Sequence, residues 1–243
     1  LNLTQPLPDV YLQSLHLPVN AYCLRFAPDD MFLTPQTLPE FSTDDSQNGQ
    51  RLHFYPKGEM IPLMTQGVWQ VYRGLVQLST THSSGEEVLL GWAQPATFFG
   101  HWLTYLEVYE ARALSDVYLR WYFSSEVENS ARLCHLMFVN LSRRLKQTEA
   151  MLSIAGQRRV EDRLNQLLLL LQSELGEASA AGTRIGVRLT HQNLANAIGT
   201  TRVTITRLLG KLQRENYIFI DDDRHIVIND SKFRDRALAM DNG

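Results

Sequence analysis

Residues 188–220, RLTHQNLANAIGTTRVTITRLLGKLQRENYIFI, constrain this chain more than any other stretch. Thr190 stands where it can N-cap a short helix through Leu194, Ala195 and Ile198, since a threonine oxygen accepts from the unpaired N–H groups of a first turn. Gly199 follows where a tight turn needs a left-handed backbone, a conformation without penalty when there is no Cβ. Thr200 or Thr201 recaps a second helix, from about Arg202 to Arg214, with Val203, Ile205, Leu208, Leu209 and Leu212 apolar. Its polar side carries Arg202, Thr204, Thr206, Arg207 and Lys211. Two capped helices across a glycine turn form a helix-turn-helix pattern. A second helix with arginines and hydroxyls in its first turns suits the major groove of double-stranded DNA. Arg bonds guanine O6/N7 bidentately there, and Thr meets phosphate or a thymine methyl. An amphipathic helix pair with an incidentally basic face is the plainer alternative.

The net charge of −3 does not argue against DNA once it is resolved along the chain. Arg184, Arg188, Arg202, Arg207, Lys211 and Arg214 face only Glu215 over residues 184–220, while Asp29, Asp30, Asp44, Asp45, Glu86 and Glu87 lie in an acidic first hundred residues. Screening limits each charge to a reach of about 10 Å, so the local patch decides phosphate contact. Cys23 and Cys134 are too few for an iron–sulfur or zinc site and read as reduced, partly buried thiols. The start, LNLTQPLPDVYLQ, lacks the basic and apolar regions of a signal peptide. The run Leu167–Leu171 is too short to cross a bilayer, so a cytoplasmic protein without a membrane partner is expected.

Residues 1–50 read as an irregular extension, rich in proline (Pro6, Pro8, Pro18, Pro28, Pro35, Pro39), with a short helix near Val10–Leu15. Residues 51–124 change to short strands at Leu52–Tyr55, Gly67–Arg73, Leu75–Thr80, Val88–Ala93, Ala111–Leu114 and Val117–Phe123. Gly and Pro punctuate them, the pattern of a small β-sandwich or barrel. Ser125 to Ala155 reads as one long helix within 125–156. Its stripe Leu133, Met137, Leu141, Leu145, Thr148 and Leu152 predicts a dimer interface with a second copy. A second helix from Gln157 to about Leu175 opens the C-terminal domain, 157–243, and leads into a flexible link at Gly176–Gly182. After the helix-turn-helix, Tyr217–Ile220 and His225–Ile228 alternate as a hairpin wing. Three aspartates, Asp221–Asp223, place its tip away from DNA or at its edge.

This order is α+β: a β-roll (a jelly-roll-like double-stranded β-helix), a long helix and a winged helix-turn-helix. It resembles the catabolite activator/FNR (Crp/Fnr) family of transcription regulators over roughly Arg51 to Asn229. The resemblance is carried by LTHQNLANAIGTTRVTITRLLGKLQREN, YRGLVQLS, SGEEVLLGW and FFG. Within the family the cyanobacterial nitrogen-control (NtcA) branch is most similar, through Gly199–Leu212 and the helix phrase Leu141–Glu149. The resemblance implies a homodimer and RNA polymerase as a further partner. It places base reading on Arg202, Val203 and Arg207, with Thr204 beside them, and backbone contacts on Thr190, His191, Gln192, Thr201 and Lys211. Many members carry Glu where Val203 stands. Val203 cannot accept from cytosine, which points to a GTA-type half-site.

The effector side departs from the family. Cyclic-nucleotide binders have FGE where this chain has Phe99-Gly100-His101, and the phosphate-binding arginine aligns near Glu107, so cAMP is disfavoured. Similarity to the NtcA branch makes 2-oxoglutarate a candidate effector. Phe99, Gly100, Arg112, Arg144 and Glu149 are its candidate pocket, although the segment at Met64-Thr65-Gln66 is shorter than the corresponding loop. Arg144 and Glu149 could equally pair between subunits. His53, His82, His101 and His135 are scattered, which disfavours a haem or metal centre, with His101 at the pocket mouth. Trp69, Trp92, Trp102 and Trp121 are expected to fill the β-roll core.

Two other classes compete. A cupin-type enzyme would need clustered His and Glu on adjacent strands, and no HxH group occurs, so no catalytic residues are assigned. A protein-interaction module finds support only in the first fifty residues.

Overall fold

A computed structural model of the chain describes residues 52–233; the extension 1–50, the expected helix near Val10–Leu15 and Cys23 lie outside the described residues. The first part is a two-sheet roll. One sheet has the order β1-β7-β2-β5, from β1 (Leu52–Tyr55), β2 (Gly67–Arg73), β5 (Phe98–Phe99) and β7 (Val117–Phe123). The facing sheet has the order β4-β3-β6, from β3 (Val76–Thr81), β4 (Glu87–Ala93) and β6 (Glu110–Ala113). Alternation sends Trp69, Val71, Val76, Leu78, Val117 and Leu119 into the space between the sheets, where they are buried. The opposite face of β2 and β7 presents Val68 and Tyr122, which Val127 and Met137 cover from the following helices.

The single long helix expected over Ser125–Ala155 is two. α1 (Ser124–Glu128) stops at Asn129, and α2 (Ala131–Ala155) starts afresh. Asn129 Nδ2 donates to the Ser125 carbonyl at 2.8 Å, and the Ser130 hydroxyl accepts from Leu133 N at 3.3 Å. Both side chains thus compete with the helical backbone ladder and convert one residue pair into a stop and a cap. α3 (Val160–Leu175) begins three residues later than expected and buries Leu164, Leu167, Leu168 and Leu171.

Gly176–Gly182 is not a link. It forms β8 (Gly176–Ser179) and opens β9 (Gly182–Ile185), which widen the wing to a four-stranded sheet, β10-β11-β9-β8, with β10 (Ile218–Ile220) and β11 (Ile226–Ile228). Gly182, at φ 132°, lies so close to Ile228 that a Cβ would meet its carbonyl oxygen at 2.0 Å, so only glycine permits this pairing.

α4 (His191–Ile198) and α5 (Arg202–Arg214) share a core with α3 and with Leu75, Leu89, Trp92 and Leu114 of the roll. Trp92 therefore fills the seam between roll and helix-turn-helix rather than the roll interior. Trp69 is buried in the interior and Trp121 half-buried against it, whereas Trp102 is exposed. Among the described residues, no helix is long and apolar enough to cross a membrane.

Candidate nucleic-acid interface

Local chemistry builds the helix-turn-helix. The Thr190 hydroxyl accepts from Asn193 N at 3.1 Å, and Thr201 Oγ1 accepts from Thr204 N at 3.2 Å, so Thr201 rather than Thr200 caps α5. Gly199 has φ 61° and ψ 58°, the left-handed turn between the helices. Ile205, Leu208, Leu209 and Leu212 turn inward, which leaves Arg202, Val203, Thr206 and Arg207 on the outer face of α5. Val203 is 79% exposed.

Of the residues expected to contact the DNA backbone, His191 and Gln192 are held by bonds within the chain. His191 Nδ1 lies 2.8 Å from Thr206 Oγ1, and Gln192 Nε2 donates to Asn196 Oδ1 at 2.6 Å. Lys211, expected to contact the DNA backbone, pairs its ammonium with Glu161 of α3 at 2.8 Å, a contact that fastens α5 to α3. Asn193 and Asn196, which the sequence did not single out, dock α4 on the roll. Asn193 Nδ2 donates to Gln77 Oε1 at 3.3 Å and Asn196 Nδ2 to Glu87 Oε2 at 2.8 Å. No local pattern could reveal them, because their partners lie more than a hundred residues away.

Arg184 leaves the basic patch for the wing. It pairs with Asp221 at 2.6 Å, Asp223 at 3.3 Å and Glu177 at 3.5 Å. The Arg184 hydrogen bond, then the bond from His225 N, holds the Asp221 carboxyl below its ordinary 3.8. Two of the three tip aspartates are thereby paired, although one guanidinium offsets only one of their charges. Asp221, Asp223 and His225 converge as a metal would require, but the Arg184 guanidinium already bonds both carboxylates.

The expected seam on α2 divides. Met137 is buried against the roll and unavailable to a second copy, and Leu133 is half-buried there. Leu141, Leu145, Thr148 and Leu152 are exposed, and Phe138, which the sequence reading missed, is 69% exposed. Phe138, Leu141, Leu145, Thr148 and Leu152 recur at alternating spacings of three and four, the spacing a coiled-coil seam uses. Cys134 is exposed, with its thiol 3.0 Å from the Val127 carbonyl, not partly buried as expected.

A cavity of about 340 Å³ lies between the roll and α2, lined by Leu90, Phe98, Phe99, Leu103, Thr104, Leu106, Tyr109, Leu141, Arg144, Leu145 and Thr148. Of the expected pocket residues, Phe99 and Arg144 line it, and Gly100 adjoins Phe99. Arg112 instead donates to the Gly58 carbonyl at 3.2 Å, and Glu149 is exposed on α2 outside the lining. Pairing along β6 explains the first: Arg112 sits opposite Gln77 with its side chain on the solvent face. His101 stacks edge-on with Tyr109, centroids 6.0 Å apart, and does not line the cavity. Burial lowers the Arg144 pKa, an effect Tyr109 and Glu174 oppose; burial pushes Tyr109 up to about 12 against the pull of Arg144.

Residues 162–232 match the model of the Crp-like helix-turn-helix domain. The chain is 35% identical to the global nitrogen regulator of Synechococcus elongatus, over 67% of this chain and 77% of that protein. It is also 35% identical to the regulatory protein CysR of the same organism, over 69% and 79%. The solved structure of FixK2 from Bradyrhizobium japonicum superposes with a TM-score of 0.64 at 20% identity, covering 76% of this chain and 96% of that one.

Proposed function

We propose that this chain, which belongs to the Crp/Fnr family of transcription regulators, works as a homodimer reading a palindromic DNA site of GTA-type half-sites through α5. The exposed row Arg202, Val203, Thr206 and Arg207, which follows the capped start of α5, carries this reading. Arg202 and Arg207 have the reach and charge to bond guanine edges or phosphates. Val203 offers a methyl surface to thymine but accepts no hydrogen bond. The apolar seam of α2 supports pairing with a second copy. Two α5 helices then meet successive major grooves about 34–36 Å apart. The cavity at Arg144 is the place for a small effector.

Fluorescence anisotropy against a GTA palindrome and a scrambled duplex tests the reading. Arg202→Ala is expected to cost about 1–3 kcal/mol per half-site on the palindrome and distinctly less on the scrambled duplex. Equal weakening on both would make Arg202 a phosphate clamp and remove base reading from it.

A further inference from the structure

We propose that strand β4 of the roll is the mount that sets the separation of the two α5 helices in a dimer, with Glu87 and Gln94 as its positioning residues. This rests on reading the chain as a dimeric DNA-binding regulator.

The joint along the chain does not fix α5 by itself. α2 ends at Ala155 and α3 starts at Val160, so residues 156–159 alone connect the helix that carries the seam to the domain that carries α5. Leu75, Leu89, Trp92 and Leu114 of the roll pack against the core of that domain and add adhesion. Apolar burial is non-directional, so it resists separation more than sliding or rotation. Direction comes from hydrogen bonds, whose geometry is narrow.

Such bonds sit at both ends of β4. At its start, Glu87 Oε2 accepts from Asn196 Nδ2 of α4 at 2.8 Å, and Glu87 Oε1 accepts from Gln77 Nε2 at 2.9 Å. Gln77, only 3% exposed, uses its own Oε1 to accept from Asn193 Nδ2 of α4 at 3.3 Å. Asn193 and Asn196 accept in turn from Thr190 Oγ1 and Gln192 Nε2, both at 2.6 Å. The roll is thereby bonded, one residue removed, to two residues expected on the DNA backbone. Just past the end of β4, Gln94 Nε2 donates to Glu174 Oε2 of α3 at 2.7 Å, and Gln94 Oε1 accepts from Arg143 Nη2 of α2 at 3.0 Å.

From Glu87 to Gln94 an extended chain spans roughly 20 Å. A body held at two points that far apart along one strand cannot swivel about either. Undocking would also leave the buried Gln77 acceptor unmet. On DNA the consequence is geometric. One added base pair moves a half-site by about 3.4 Å along the axis and by roughly a tenth of a turn around it. A fixed head tolerates neither displacement. A swivelling head tolerates both, but it presents the second α5 at a lower effective concentration.

Fluorescence anisotropy on the full chain tests this with GTA palindromes whose half-site separation changes one base pair at a time, and with a duplex carrying a single half-site. Wild type is expected to prefer one separation and to weaken about tenfold or more for one base pair either way. Glu87→Ala and Gln94→Ala are each expected to lose about tenfold at that separation, while the penalty for one base pair falls below about threefold. Their binding to the single half-site is expected to stay at the wild-type level. Glu86→Ala removes the same charge from the adjoining exposed turn and is expected to keep the wild-type profile. Gln94→Ala reports independently should Glu87→Ala fail to fold. A profile as sharp as wild type in either variant, an equal loss on the single half-site, the same change in Glu86→Ala, or a wild type indifferent to separation overturns the proposal. A wild type that binds palindromes and a scrambled duplex alike sinks the regulator reading instead.

Discussion

Gln147 joins the cavity to the roll, and replacing it with leucine measures that junction. Its side chain is 4% exposed, and its Oε1 accepts from Trp92 N at 3.0 Å and from Arg144 Nη1 at 2.6 Å. The amide lies against Gly91, where a Cβ would fall 2.2 Å from the same oxygen, so α2 and β4 approach too closely for another group to replace it. Leucine keeps roughly the volume and removes the acceptor. A buried Trp92 N–H left unmet costs about 1–3 kcal/mol, and the charged bond from Arg144 is worth about 1.5–3. Arg144 recovers part of its share by turning to the cavity, and leucine gains about 1 kcal/mol from burial. The expected net loss is about 2–3 kcal/mol, or about 4–12 °C in Tm. Urea unfolding followed by tryptophan fluorescence at fixed protein concentration reads it directly. In an Arg144→Met background the same substitution should cost about 1–2 kcal/mol less, since the Trp92 bond and the long Gln147 Nε2 bond to Glu174 at 3.5 Å are what remain to lose. A loss below about 0.5 kcal/mol, or the same loss in both backgrounds, would refute the shared-acceptor argument.

Leu145→Asp places a charge in the α2 seam and is expected to shift sedimentation from dimer to monomer; a dimer of unchanged strength would remove α2 from the interface. Thr201→Ala removes the α5 cap and should cost about 1 kcal/mol in urea, whereas Thr200→Ala should cost little. Asp221 titrates below its ordinary 3.8 because Arg184 and His225 N bond its charged form, so its stabilisation is present above that value and lost as pH falls through the folded one. The stability gap between wild type and Asp221→Asn should therefore close on acidification past 3.8, and a widening gap would contradict the pairing.

The helix-turn-helix was legible almost to the residue, because Thr190, Gly199 and Thr201 act through bonds and backbone angles within a few positions of themselves. Most roll strands were legible too, since alternation and turn residues are local. β5 escaped notice, being only Phe98–Phe99 and held by pairing with Trp69 and Gln70. The hairpin Gly176–Ile185 escaped as well. Its glycine-, alanine- and serine-rich composition carries no strand pattern, and β11 supplies the partner some forty residues on.

The sequence by itself determined the reading head: its caps, its turn and the residues left outward on α5 follow from short-range chemistry that any surroundings would preserve. Tertiary structure alone decided which expected residues serve which end. It gave Lys211 to Glu161 and Arg184 to the wing, turned Met137 into the roll and left Phe138 on the seam. It also kept Arg144 in the cavity while sending Arg112 outside. A charged or apolar side chain carries no label for its partner. Distance and burial choose one from many, and both exist only once distant segments have come together.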